Sequence, residues 1–159
     1  MTQVLTHSAS ILIARSPSDV YDMVSDIGRM GEWSPECTGG AWDEGAGPSE
    51  GAWFTGHNDL GGQRWETRSK VLVAEPGREF TFAVGGSHVR WSYTFTPTAE
   101  GSVVTETWEL TADGVAYFEA AFGSDSMALI AERAAAAARG IADTLASLKA
   151  AAEQAPSPS

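Results

Sequence analysis

"REFTFAVGGSHVRWSYTFTPTAEGSVVTETWELT", residues 78–111, decides the fold. Large apolar and polar side chains alternate through it, interrupted at Gly85-Gly86 and Glu100-Gly101. A period of two is the mark of a half-buried strand, and the glycine breaks are hairpin turns. Side chains paired across a ladder point to the same face, so the turns fix which residues travel together. Pairing Val84 with Ser87 sets Phe82 against Val89 and Phe80 against Trp91. Phe80, Phe82, Val84, Val89, Trp91, Tyr93 and Phe95 then share one face. On the last hairpin the apolar set brings Val104, Glu106, Trp108 and Leu110 to that face, with Glu106 across from Tyr93.

Two earlier segments, 51–60 and 63–74, read as strands in the same way. Pairing around Glu75-Pro76-Gly77 adds Val73, Val71, Ser69, Thr67 and Trp65 to the inner face. Pairing around Gly61-Gly62 adds Asn58, Gly56 and Phe54. The opposite face collects Thr55, His57, Asp59, Arg64, Glu66, Arg68, Thr81, His88 and Arg90, a solvent face with Trp53 and Leu72 as exceptions.

Upstream, residues 3–14 alternate as a strand with Leu5, His7, Ala9, Ile11 and Ile13 on one side. Ser16 and Pro17 open a short helix as N-cap and first residue, and Val20, Met23, Val24 and Ile27 are its buried stripe. "GRMGEWSPECTGGAW", residues 28–42, holds too many turn residues for a helix or strand and too much large side chain for a plain surface loop. It reads as a sharp connection that frees Trp33 and Trp42 to close one end of a cavity, or to cap the core edge. Cys37 within it is expected as a small buried filler rather than a nucleophile, since no histidine is near it in sequence.

Downstream, 111–124 reads as a short apolar helix or lid carrying Tyr117, Phe118 and Phe122. Residues 126–153 form a long Ala-rich helix of roughly 40 Å at 1.5 Å per residue. Met127, Ile130, Ala134, Ala138, Ile141, Leu145 and Leu148 make its stripe, while Arg133, Arg139 and Lys149 mark its solvated side. A disordered tail is expected over 154–159. A sheet with one apolar face must cover it, and this helix is the only element large enough. The 159 residues read as one domain, 1–153.

The formal net charge of −11, from 10 basic and 21 acidic residues, argues against a nucleic-acid partner or an anionic membrane surface. No run approaches a membrane span, no signal peptide is apparent, and the single cysteine suits a reducing compartment. A cytoplasmic protein is expected, either monomer or homodimer.

The inner face is an unusual core. Trp65, Trp91, Tyr93 and Trp108 alternate with Gly56, Ser69, Thr67, Asn58 and Glu106, and the helix stripe opposite is mostly alanine. Wide rings beside small residues leave space, and polar groups in an apolar space are costly unless paired. A pocket for a mostly apolar ligand accounts for the pattern. The alternative is a core filled by its aromatics, with Glu106 bonded to Tyr93 or to water. The expected ligand-binding residues are Trp33, Asn58, Trp65, Phe82, Trp91 and Trp108. Burial among aromatics raises a carboxyl pKa, so Glu106, with Tyr93 bonding the same ligand oxygen, is the candidate acid or base. His7, His57 and His88 form no metal-ligand pair, and His57 and His88 face outward in this register. No nucleophile elbow or phosphate loop is present. Neither metal nor cofactor is expected.

"SPSDVYDMVSDIGRMGEWSPECTGGAW", "GAWFTGHND", "VAEPGREFTFAVGG" and "WSYTFTPTAEGSVVTETWEL" resemble the bacterial polyketide cyclase/dehydrase and lipid-transport family of the START-like, or SRPBCC, superfamily. The resemblance spans about Ser8 to Glu153. It implies an α+β helix-grip fold: a curved seven-stranded antiparallel sheet around a long C-terminal helix, with one or two short helices after strand 1 and a hydrophobic cavity between. Trp33-Ser34-Pro35-Glu36, Gly56 with Asn58, and Trp91 with Tyr93 match positions the family uses for framework and cavity. No shared catalytic motif comes with it. Two functions stay open: a carrier or sensor of a hydrophobic lipid-, polyketide- or terpenoid-like molecule, and a cofactor-free cyclase or dehydratase using Glu106 and Tyr93. A protein-interaction module is a third class.

Overall fold

Gly85 and Gly86 adopt φ of 70° and 87°, a region that costs glycine nothing and makes a tight reversal between strands. The turn joins β5 (Glu79–Val84) to β6 (Val89–Thr98), and β7 (Gly101–Leu110) follows. The computed structural model describes residues 5–154. The other strands are β1 (Leu5–Ile13), β2 (Cys37–Trp42), β3 (Trp53–Leu60) and β4 (Gln63–Glu75), in the antiparallel order β1-β7-β6-β5-β4-β3-β2. Helix α1 (Pro17–Ser25) and a 3-10 turn (Ile27–Glu32) lead from β1 to β2. Helix α2 (Ala112–Phe122), a 3-10 turn (Gly123–Asp125) and α3 (Ser126–Gln154) end the described chain. The sheet and the long C-terminal helix form a helix-grip fold. The expected tail lies outside the described residues from 155 onward.

The sheet corrects the register at two hairpins. Val84 pairs with Val89 rather than Ser87, so Phe82 meets Trp91 and Phe80 meets Tyr93. A shift of two residues leaves the side chains of both strands on their expected faces. At β4–β5 a bulge between Val71 and Val73 does change the face: Val73 pairs with Thr81 and Ala74 takes the inner position opposite Phe80. Thr81, expected in solvent, is buried, and its hydroxyl bonds Glu79 at 2.6 Å.

Residues 37–42, expected to be a turn-rich connection, are the edge strand β2, and 27–32 are a helical turn. Two glycines hide the strand's alternation, and an irregularity between Cys37 and Gly39 breaks its register. Gly40 is required there, because a Cβ would lie 2.8 Å from the Thr55 carbonyl oxygen on β3. Trp42 packs edge-on against Phe54 at 5.3 Å instead of closing the cavity.

The inner face divides into two ends. At one, Ser16 caps α1 by accepting from the Asp19 N–H, and α1 lays Tyr21 against Phe80 and Phe95. Ile13, Val104, Leu145 and Leu148 complete a close-packed core, each such side chain contributing ~1.5–3 kcal/mol by burial. The other end, toward the start of α3, is open. The α3 stripe runs through Ala134, Ala137, Ile141, Thr144, Leu145 and Leu148. Ala138 therefore faces solvent, as does Met127, which is 81% exposed. In a run of alanines the sequence offers no contrast to set the helix phase.

Candidate functional site

The open end encloses a cavity of about 570 Å³, within the usual range for ligand sites. Trp65, Phe82, Trp91 and Trp108 reach it from the sheet, and Trp33 reaches it from the connection before β2. Asn58, Gly56 and Ser69 also line it. On α3 the facing residues are Ala136, Ala137, Gly140 and Thr144, so the helix supplies a wall without filling the space. All six expected ligand-binding residues and both acid–base candidates border this one volume.

Register places Glu106 directly opposite Tyr93. The Tyr93 hydroxyl donates to Glu106 Oε2 at 2.9 Å. Glu106 is 2% exposed, and its Oε1 is buried without a hydrogen-bond partner. Burial pushes the Glu106 carboxyl up to about 8, partly offset by the bond from Tyr93. The same burial, reinforced by the neighbouring carboxylate, pushes Tyr93 well above its ordinary 10.0. A carboxyl titrating there can give or take a proton near neutral pH. Cys37 borders the cavity too; burial pushes its thiol up, and its Sγ donates to the Gly39 carbonyl at 3.3 Å. A thiol held protonated is a poor nucleophile.

Three features form the rim, and one of them, His88, departs from the sequence reading. Arg133, expected on the solvated side of the helix, lies over the Trp65 ring at 5.7 Å and pairs with Glu36 at 3.8 Å across the mouth. His88, expected to face outward, borders the cavity and stacks on Tyr117 at 4.5 Å. Segment 111–124 is mainly the helix α2, which turns Tyr117, Phe118 and Phe122 to the mouth. Its start is fixed to the β5–β6 turn. Thr111 Oγ1 caps the helix by accepting from the Gly114 N–H and donates to the His88 carbonyl at 3.0 Å. Gly114 lies so close to the same carbonyl that a Cβ would collide with it. The aromatic spacing of 117, 118 and 122 signalled this helix, but nothing in the sequence showed that His88 or Arg133 would meet it at the mouth.

A second concavity, about 510 Å³, lies at the β3–β4 hairpin. Its polar side chains already pair: His57 with Glu66 and Arg64 with Asp59. Among the described residues, no three His, Cys, Asp or Glu side chains converge as a metal site.

A seven-stranded antiparallel sheet gripping a C-terminal helix around an internal cavity defines the START-like class. Within it, the sequence matches the polyketide cyclase/dehydrase and lipid transport family over residues 5–153, and the chain belongs to that family. It is 46% identical to a polyketide-cyclase-like protein of Corynebacterium glutamicum, matched over 94% of this chain and 91% of that one with a TM-score of 0.70. The di-domain ARO/CYC StfQ of the steffimycin biosynthetic pathway has a TM-score of 0.71 at 17% identity, over 95% of this chain and 51% of its own. Major latex-like protein 151 of Panax ginseng has a TM-score of 0.57 at 13% identity, over 67% of this chain and 78% of its own. At such identities the last two show the fold alone. No curated protein matches the sequence. Among the described residues, no helix is long and apolar enough to cross a membrane.

Proposed function

We propose that the protein binds a hydrophobic small molecule, lipid-, polyketide- or terpenoid-like, in the cavity between sheet and α3, as a carrier or sensor. The observation that carries this is the 570 Å³ space itself, walled by broad rings on the sheet and left vacant by alanine and glycine on the helix. Native cores are close-packed, and a void of this size is costly unless something occupies it. Trp33, Trp65, Phe82, Trp91 and Trp108 supply apolar contact, and Asn58 supplies a polar group for orientation. The reading includes a cytoplasmic location, supported by the lone Cys37. Native mass spectrometry of the purified protein should find a co-purified apolar molecule. An apolar fluorescent probe should quench tryptophan emission on binding. A bare protein that also leaves its tryptophans unquenched by the probe would sink the proposal.

The Glu106–Tyr93 pair favours a second reading, a cofactor-free cyclase or dehydratase. Glu106 would pass protons to and from a ligand carbonyl or enol, and Tyr93 would hydrogen-bond the same oxygen. Glu106→Gln keeps the shape and removes the titrating proton. In an enzyme it should lower turnover by ~10²–10⁴-fold, the usual contribution of a general acid or base. Turnover equal to wild type would exclude Glu106 from the chemistry.

A further inference from the structure

We propose that Glu106 Oε1 anchors a neutral hydrogen-bond acceptor on the ligand, a ketone, ester or lactone carbonyl, and that the cavity selects such molecules over hydrocarbons, amines and carboxylates of the same shape. This rests on the cavity-binding reading above and specifies the head group. Buried polar atoms in folded proteins almost always have a partner, and Oε1 has none. It belongs to a carboxyl that borders the cavity and is 2% exposed. The proton can be placed on an atom. Tyr93 has one hydroxyl hydrogen and gives it to Oε2, so Oε2 is the acceptor and the acidic proton of the neutral carboxyl belongs on Oε1. That oxygen is an unpartnered donor on a side chain that borders the cavity.

The surroundings favour the neutral form. On β1, Ala9 pairs with Glu106, and His7 stacks on Trp108 at 5.9 Å. On β6 the ionisable neighbour is Tyr93, and beside Tyr93 on β2 is Cys37, whose thiol is pushed up by burial. Apart from Arg133, the α3 wall is alanine, glycine and threonine. Of the charged residues that line the cavity, Arg133 pairs with Glu36, Arg68 with Asp43 and Glu66 with His57, and His88 is stacked under Tyr117. A ligand amine would require Glu106 to ionise where burial opposes it. A ligand carboxylate would bring an unpaired negative charge into the same apolar space. A neutral carbonyl pairs Oε1 at neither cost. A site built to bond a polar group rejects the analogue that lacks it, because its own buried atom is then left bare.

The test uses a matched pair of fluorophores on the intact protein: 6-propionyl-2-(dimethylamino)naphthalene, a ketone, and its 6-propyl analogue, which lacks the oxygen. The ketone's emission moves to the red when its oxygen accepts a hydrogen bond. We expect it to bind ~10-fold or more tightly than the propyl compound at pH 6, and to emit to the red of the same ketone bound to Glu106→Leu. The preference should fade as the pH climbs past about 8 and Oε1 loses its proton. Glu106→Leu should erase the preference, and Glu106→Gln, whose amide N–H does not titrate, should make it flat with pH. Equal affinity of the two probes for wild type, or a ketone preference surviving in Glu106→Leu, overturns this inference and leaves cavity binding standing. Binding of neither probe overturns both.

Discussion

A carboxyl with one oxygen bonded and the other bare inside a protein is stable only while it keeps its proton. Glu106 titrates near 4.5 when free and at about 8 in the fold. Between those values the unfolded chain gives up a proton that the folded chain retains, so stability is full below about pH 4.5 and is lost as the pH rises through about 8. The upper bound of that loss is ~4–5 kcal/mol. Glu106→Gln has no proton to lose. Its melting temperature should therefore match wild type near pH 4.5 and exceed it by a growing margin up to pH 8.5. Differential scanning calorimetry of both proteins across that range tests the point, and a constant margin would mean the carboxyl is already ionised. The same scale governs Ala137, which is buried on α3 and borders the cavity. Ala137→Leu should project its added carbons into empty volume, so stability should be kept or raised while probe affinity is largely lost. Overpacking would instead cost ~1–3 kcal/mol, and a thermal melt separates the two.

Helix α2 is tied at its start to the β5–β6 turn, through Thr111 and the close approach of Gly114 to the His88 carbonyl. Tyr117 and Phe122 at the mouth remain 50% and 45% exposed. Gly114→Ala should push the helix off the β5–β6 turn at a cost of ~1–3 kcal/mol. Amide exchange should rise over 112–122 and leave β6 and β7 protected. Uniform loosening of the sheet instead would show that α2 is not a separate unit. Much of this level was legible beforehand. Faces were readable because strand parity survives a two-residue slip, so Tyr93, Glu106, Trp91 and Trp108 fell on the cavity side even with the β5–β6 pairing misplaced. Parity fails at an odd insertion, which is why the bulge at Val71–Val73 escaped notice. β2 escaped because Gly39 and Gly40 erase the alternation that identifies a strand. The α3 stripe was right at Ala134, Ile141, Leu145 and Leu148 and wrong at Ala138, because neighbouring alanines look alike on every side. Contacts at the mouth depend on how α2, α3 and the β5–β6 turn come together, which no local pattern encodes.

Across the whole molecule, the two strands that flank α1 in sequence lie at opposite edges of the sheet, and β1 pairs only with β7, Leu5 lying against Leu110. During synthesis the first strand to emerge is thus the last to find its neighbour. At ~5–20 residues per second, β1 waits roughly 5–20 s for β7, with Ile11 and Ile13 uncovered. Strands β3 to β7 are each joined to the next by a short turn and can zip together locally, whereas closure of β1 spans almost the whole chain. Refolding should therefore begin in the β4–β7 hairpins. Ile13→Val should accelerate unfolding and leave the refolding rate nearly unchanged, while Phe82→Leu should slow refolding. The reverse pattern in stopped-flow kinetics would mean that β1 docks early. Until it docks, the nascent protein carries a strand with a free edge, open to pairing with another chain.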